Sequence, residues 1–138
     1  MADFTASTAF RNLLATAAEG FFYWVTLHDA TGGFVAADVY AAGVRGELAT
    51  ANGYTRGDKA VTLTNTDGVL DGPDAVWTAA GGSIGPASYA ALWGSATDNI
   101  VGAGLISVKD NAATPQTATD GNTMTYAVVD PLTIPTPA

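Results

Sequence analysis

Between Gly85 and Ser107 the chain carries two apolar runs, Tyr89 to Trp93 and Ile100 to Ile106, joined by the turn-forming linker Gly94 to Asn99. Each run has the length of a typical strand, so the stretch predicts a β-hairpin with a longer loop. Side chains alternate across a strand. Tyr89, Ala91 and Trp93 therefore share one face, and Ala90 and Leu92 the other. In the second run Val101, Ala103 and Leu105 share a face opposite Ile100, Gly102, Gly104 and Ile106. Paired glycines in a strand mark close approach of a ring or backbone, so Trp93 is expected to lie over the floor left by Gly102 and Gly104. None of these side chains is reactive. The hairpin is a packing device around which other strands collect.

Those strands are readable on either side. Phe21 to His28 is dense in aromatic and β-branched residues, with Tyr23, Val25 and Leu27 on one face and Trp24, Thr26 and His28 on the other. Lys59 to Thr64 alternates, Val61 and Leu63 inward and Thr62 and Thr64 outward. Ala75 to Ala79 and Met124 to Val129 are further strands. Segment 34–42 fits a weak strand or a short helix equally. Segment 43–57 reads as an ordered glycine-rich loop, 65–74 as a turn-rich loop, and 111–123 as a long exposed loop. Residues 3–20 are expected to be helical. Thr5 or Ser7 would cap the helix, Gly20 would end it at positive φ, and Phe10, Leu13, Leu14 and Ala17 would form one apolar stripe. That stripe would cover an edge of the sheet system or dock on another subunit. Pro131, Pro135 and Pro137 suit an extended arm.

The expected fold is mainly β: an antiparallel β-sandwich or jelly-roll-like single domain, with residues 1–20 as N-terminal helix, 21–130 as sandwich and 131–138 as C-terminal arm. The 138 residues are enough for one self-sufficient core. Cysteine is absent, which removes disulfides, thiolate metal sites and cysteine nucleophiles. A net charge of -8 repels nucleic-acid phosphates and anionic lipid. No run reaches the ~18 to 20 apolar residues of a membrane span. Asp3 and the lack of a basic leader argue against a secretory signal.

Chemistry is sparse. Gly81 to Gly85 spells G-x-S-x-G, but a strand rather than a helix follows, and the one histidine, His28, lies upstream. His28 and Asp29 point to opposite faces, so a histidine bonded to backbone or water is expected there, not a base with its orienter. No enzyme, cofactor or metal is expected. The nearest thing to a calcium loop is Asn65, Asp67, Asp71 and Asp74. On the EF-hand pattern Leu63 would hold the first ligand position and cannot coordinate, and Asp-Gly is also ordinary turn chemistry. Trp24, Trp77 and Trp93 belong to strands and so to the core. Tyr54 is freer, and with the acidic loop it allows a carbohydrate-binding module as an alternative.

Glu47-Leu48, Gly53-Tyr54-Thr55-Arg56 and Lys59-Ala60-Val61-Thr62 together resemble the Glu-Val … Gly-Tyr-x-Arg … Val-x-Phe pattern of small tailed-phage virion proteins, often labelled tail fibre or head decoration proteins. The order that follows is similar too: Val76-Trp77, then Ala90 to Gly94, then Val101 to Leu105. Upstream, Phe10 to Leu14 and Val25-Thr26-Leu27-His28 match the family's short helix and Val-x-Leu-His. The likeness spans about Phe10 to Ser107. Two departures stand out: Asp29 to Gly33 replaces the usual Asp-Pro, and Leu63 replaces the phenylalanine. The resemblance implies a virion β-sandwich with no catalytic residues, assembled in the host cytoplasm. Its partner would be the major capsid protein, with tail or baseplate proteins as the alternative. A homo-oligomer is implied, with a trimer expected because cement proteins commonly occupy threefold points. Phe10, Leu13, Leu14, Tyr54, Arg56 and Ile134 are the expected contact residues.

Overall fold

The computed structural model describes residues 7–128, the side chains of Thr8 and Phe10 excepted. The Thr5 cap, the arm 131–138 with Ile134, and the Phe10 side chain lie outside the described residues. The chain is mainly β, with one helix and antiparallel strand pairs. Helix α1 spans Thr8–Glu19. The strands are β1 Phe22–His28, β2 Ala60–Val61, β3 Thr64–Thr66, β4 Val69–Asp71, β5 Ala75–Thr78, β6 Ile84–Ala87, β7 Tyr89–Ser95, β8 Gly104–Asp110, β9 Gln116–Ala118 and β10 Thr123–Tyr126.

A four-stranded sheet of order β2-β1-β7-β8 holds the centre, and three two-stranded ribbons, β3-β4, β5-β10 and β6-β9, surround it. β1 and β7 are the inner strands, with Trp24 opposite Trp93, Leu27 opposite Ala90 and His28 opposite Tyr89. Six of the seven β1 residues are buried, because both faces of this sheet are covered. One face carries Tyr23, Val25, Leu27, Ala90 and Leu92 against Leu63, Leu70, Trp77, Ile84, Met124 and Tyr126 from the ribbons. The other carries Trp24, Ala91 and Trp93 under Tyr40, Phe34, Val44 and Ile100. Burying a side chain such as Leu27 is worth about 1.5–3 kcal/mol, and alanines at 90 and 91 let both layers come close to β7.

The inner strands β1 and β7 have the face assignments their alternation predicts, and all three tryptophans are buried. Several expectations are corrected. Trp93 does not lie on a glycine floor: a Cβ at Gly102 or Gly104 would meet nothing, and the indole packs edge-on to Tyr40 at 5.6 Å. Val101 to Ala103 are turn and loop, so β8 begins only at Gly104. Segment 34–42 is neither helix nor strand, and joins the sheet through one bridge between Val39 and Gly104. The exposed loop expected at 111–123 contains β9, paired with β6. The loop expected at 65–74 is largely the β3-β4 hairpin, whose two-residue turn Asp67-Gly68 has φ of 52° and 84°, the type I′ pattern.

Of the two expectations for the α1 stripe, covering an edge of the sheet system is not met at Leu13 and Leu14. Among the described side chains of α1, Ala15 is the buried one, while Leu13 is 64% and Leu14 43% exposed. Polar contacts set this orientation. The Asn65 amide donates to Asn12 Oδ1 and Thr16 Oγ1, and its backbone N–H donates to Glu19 Oε2. The Tyr23 hydroxyl donates to the Ala18 carbonyl and ties the helix end to β1. Gly20 stays out of the left-handed region, and the helix closes with i→i−3 bonds from Gly20 and Phe21.

Candidate functional site

The residues of the Glu-Leu … Gly-Tyr-x-Arg string converge on one buried centre. Glu47 is 3% exposed and accepts four hydrogen bonds. Oε2 takes the Tyr40 hydroxyl at 2.9 Å and the Gly43 amide at 3.0 Å; Oε1 takes the Tyr54 hydroxyl at 2.9 Å and the Gly57 amide at 3.1 Å. The donor set suits an acceptor-only, ionised carboxylate. The Tyr54 oxygen also accepts the Leu27 amide at 3.0 Å, which fastens the loop to β1. Arg56 closes the outside, its guanidinium donating to the carbonyls of Glu47 and Leu48. Burial raises the pKa of both phenols, and the Glu47 charge raises them further.

The local fold follows from Asn52-Gly53. Both have positive φ, 55° and 96°, in a tight turn where Ala51 and Tyr54 exchange backbone hydrogen bonds. Gly53 lies against the Thr78 carbonyl, where any Cβ would collide. The Asn52 amide donates to the Ser83 carbonyl at 3.0 Å. The G-x-S-x-G string is thus the landing place of this turn, and strand β6 begins at Ile84, directly after the serine.

Beside this centre runs a second buried chain. The Trp93 indole N–H donates to Thr26 Oγ1 at 2.8 Å, and Thr26 Oγ1 lies 2.7 Å from His28 Nε2. His28 Nδ1 lies 3.2 Å from the Arg45 carbonyl, which can only accept. The proton therefore sits on Nδ1, and Thr26 donates its hydroxyl to Nε2. Burial lowers the His28 pKa, opposed by the Arg45 carbonyl and the Glu47 charge. Asp29 turns away to cap the Thr31 amide at 2.8 Å. Arg45 forms a fork with Asp38, at 2.6 and 2.9 Å, and that guanidinium holds the Asp38 carboxyl below the usual range. Both ring nitrogens of His28 and both oxygens of Glu47 are thus engaged by the protein itself.

Tyr54, expected on the surface as a contact residue, is 2% exposed, because Glu47 draws its hydroxyl inward. That removes the aromatic on which a carbohydrate site would have rested. Arg56 is exposed at its edge but spent on backbone carbonyls. Leu13 and Leu14 do face solvent, as do Phe21 and Phe22, at 50% and 42%. Of the calcium candidates, Asn65 faces α1 with its amide and accepts the Gly68 amide with Oδ1, Asp67 forms the hairpin turn, and Asp71 caps Gly72. Among the described residues no three His, Cys, Asp or Glu side chains converge on a common point, and no helix is long and apolar enough to cross a membrane. Sequence reasoning missed Tyr40, Thr26 and the Glu47 carboxylate as partners; the Gly-Tyr-x-Arg string was the signal that pointed at this centre.

A mainly β chain with an apolar core on both faces of its central sheet, a few fully bonded polar side chains inside it and several large apolar ones left exposed is the class that fold and site define. Compared with known proteins, the chain matches no family model, no curated protein and no solved structure.

Proposed function

We propose that the chain is a phage virion structural protein, a cement or decoration protein that binds the outer capsid surface as a trimer and stabilises it. In this reading the four-stranded sheet and the three ribbons are the two layers of a β-sandwich-like domain. One observation carries the reading. The residues that could have done chemistry, His28, Glu47, Tyr54 and Arg56, are consumed in fixing loops, whereas Leu13, Leu14, Phe21 and Phe22 stand in water. Interfaces need weakly charged, shape-matched patches more than reactive groups. The resemblance of the Gly-Tyr-x-Arg string to small phage virion proteins supplies the partner.

The test is cryo-electron microscopy of the intact particle. Density for this chain on the capsid exterior at threefold positions, with α1 turned toward the capsid, is the expected result. Density along the tail would move the protein to a fibre or baseplate. Absence of the chain from purified particles would end the virion reading.

A further inference from the structure

We propose that His28 is an acid-sensitive latch: its neutral ring holds segment 29–48 over the Trp24 and Trp93 face of the sheet, and protonation releases that segment. Geometry carries the argument. The ring is fully buried, stands edge-on to Phe34 at 4.8 Å, and links β1 to the 43–47 turn through the Arg45 carbonyl. That turn is itself unusual, since Arg45 has a φ of 50°, a conformation that non-glycine residues seldom adopt. It is held by the Asp29 amide on the Gly46 carbonyl, by the Leu48 amide on the Leu27 carbonyl, and by Glu47.

A proton on Nε2 has no place in this arrangement. Thr26 Oγ1 already accepts the Trp93 indole, and its own hydrogen points at Nε2. A second ring N–H would face that hydrogen, and turning the hydroxyl away leaves a buried donor without an acceptor. The groups facing the ring are Thr26 on β1, Trp93 and Tyr89 on β7, and Phe34, the Arg45 carbonyl, the Val44 carbonyl (already taken by the Glu47 amide) and Glu47 on the covering segment, with Asp29 adjacent in the chain. The two carboxylates favour the cation by charge. However, Glu47 is filled by four other donors and Asp29 by Thr31, so neither accepts from the ring. Lifting the 43–47 turn lets water reach the imidazole, which then titrates near its ordinary value of about 6.5. The sign follows: burial lowers the pKa of the closed state, so the closed state is fully favoured above about pH 6.5 and loses ground as pH falls toward the lowered value.

His28 is the only histidine in the chain, so its imidazole resonance is unambiguous. Hydrogen-exchange protection should be followed by NMR from neutral pH downward on the wild-type chain, at the Gly43 and Leu48 amides and, on the far side of the sheet, at Ala79. The expected result is a loss of protection at Gly43 and Leu48 approaching tenfold per pH unit below about 6.5, with Ala79 unchanged and the imidazole shift following the same curve. Protection at Gly43 and Leu48 that is independent of pH overturns the proposal, as does an imidazole that titrates while they stay closed. Loss at Ala79 in step with them also overturns it, because acid would then unfold the whole chain. In His28→Gln the pH dependence should vanish; its persistence overturns the proposal, and if that variant fails to fold the wild-type titration decides.

Discussion

Glu47 is a carboxylate removed from water, and its four donors are what make the removal tolerable. Glu47→Gln keeps the shape but turns an NH2 group toward two of those donors, at least one of them a backbone amide that cannot reverse its role. The expected loss is about 2–4 kcal/mol by urea unfolding. Tyr54→Phe should cost less, about 1–3 kcal/mol, because it leaves the Leu27 amide and one lone pair unmet. Tyr40→Phe should cost least, since that hydroxyl only donates to Glu47. A Glu47→Gln variant within about 0.5 kcal/mol of wild type would mean that the centre does not hold the loop. The string Gly53-Tyr54-Thr55-Arg56 was legible in the sequence, but its meaning was not. Tyr40 lies seven residues before Glu47 in a segment with no periodicity, and Tyr54 looked free because loops usually run over the surface.

At the scale of elements, the long strands β1 and β7 were legible because aromatic and β-branched runs show their two faces by alternation alone. The short ones were not. β3 and β4 have three residues each and expose most of them, so the Asp67-Gly68 turn between them was read as part of a loop. Helix α1 was legible as a helix, but the sequence did not decide whether its large apolar residues cover the sheet or stay outside, and in the fold Leu13 and Leu14 stay outside. Periodicity weighs large side chains, whereas here the Asn65 amide and the small Ala15 face determine which side packs. The two faces of α1 make opposite predictions. Asn65→Ala should lower stability by about 1–2 kcal/mol, because it strips the helix of its side-chain tether and the hairpin turn of its Gly68 contact. Leu13→Gln with Leu14→Gln keeps helix propensity and removes only the partly covered side of two side chains that are 64% and 43% exposed, so the unfolding free energy should stay within about 1 kcal/mol of wild type. In the proposed role, co-sedimentation of that double variant with purified capsids should be lost. Full co-sedimentation would take α1 out of the interface.

For the molecule as a whole, the longer strands could be listed from sequence, but the short strands β3, β4, β6 and β9 and the pairings that join distant segments could not. β5 pairs with β10 and β6 with β9, bringing Ala75 to Tyr126 and Ile84 to Ala118, and nothing in the alternation of strands three or four residues long specifies such partners. What does follow from composition is the electrostatic balance of the folded state. The chain carries 13 acidic and 5 basic residues, and the described residues contain a single salt bridge, Arg45 with Asp38 at 2.6 Å. Folding therefore concentrates unpaired negative charge, and self-repulsion opposes the compact state. Sodium chloride raised from about 10 mM to about 150 mM shortens the screening length from about 30 Å to about 8 Å. That weakens repulsion between carboxylates spread over the surface while leaving the contact pair nearly untouched. The melting temperature should rise by about 2–5 °C, the equivalent of roughly 1 kcal/mol for a chain of this size. A melting temperature that falls with salt would mean that attraction between charges, not packing around β1 and β7, carries a large share of the stability.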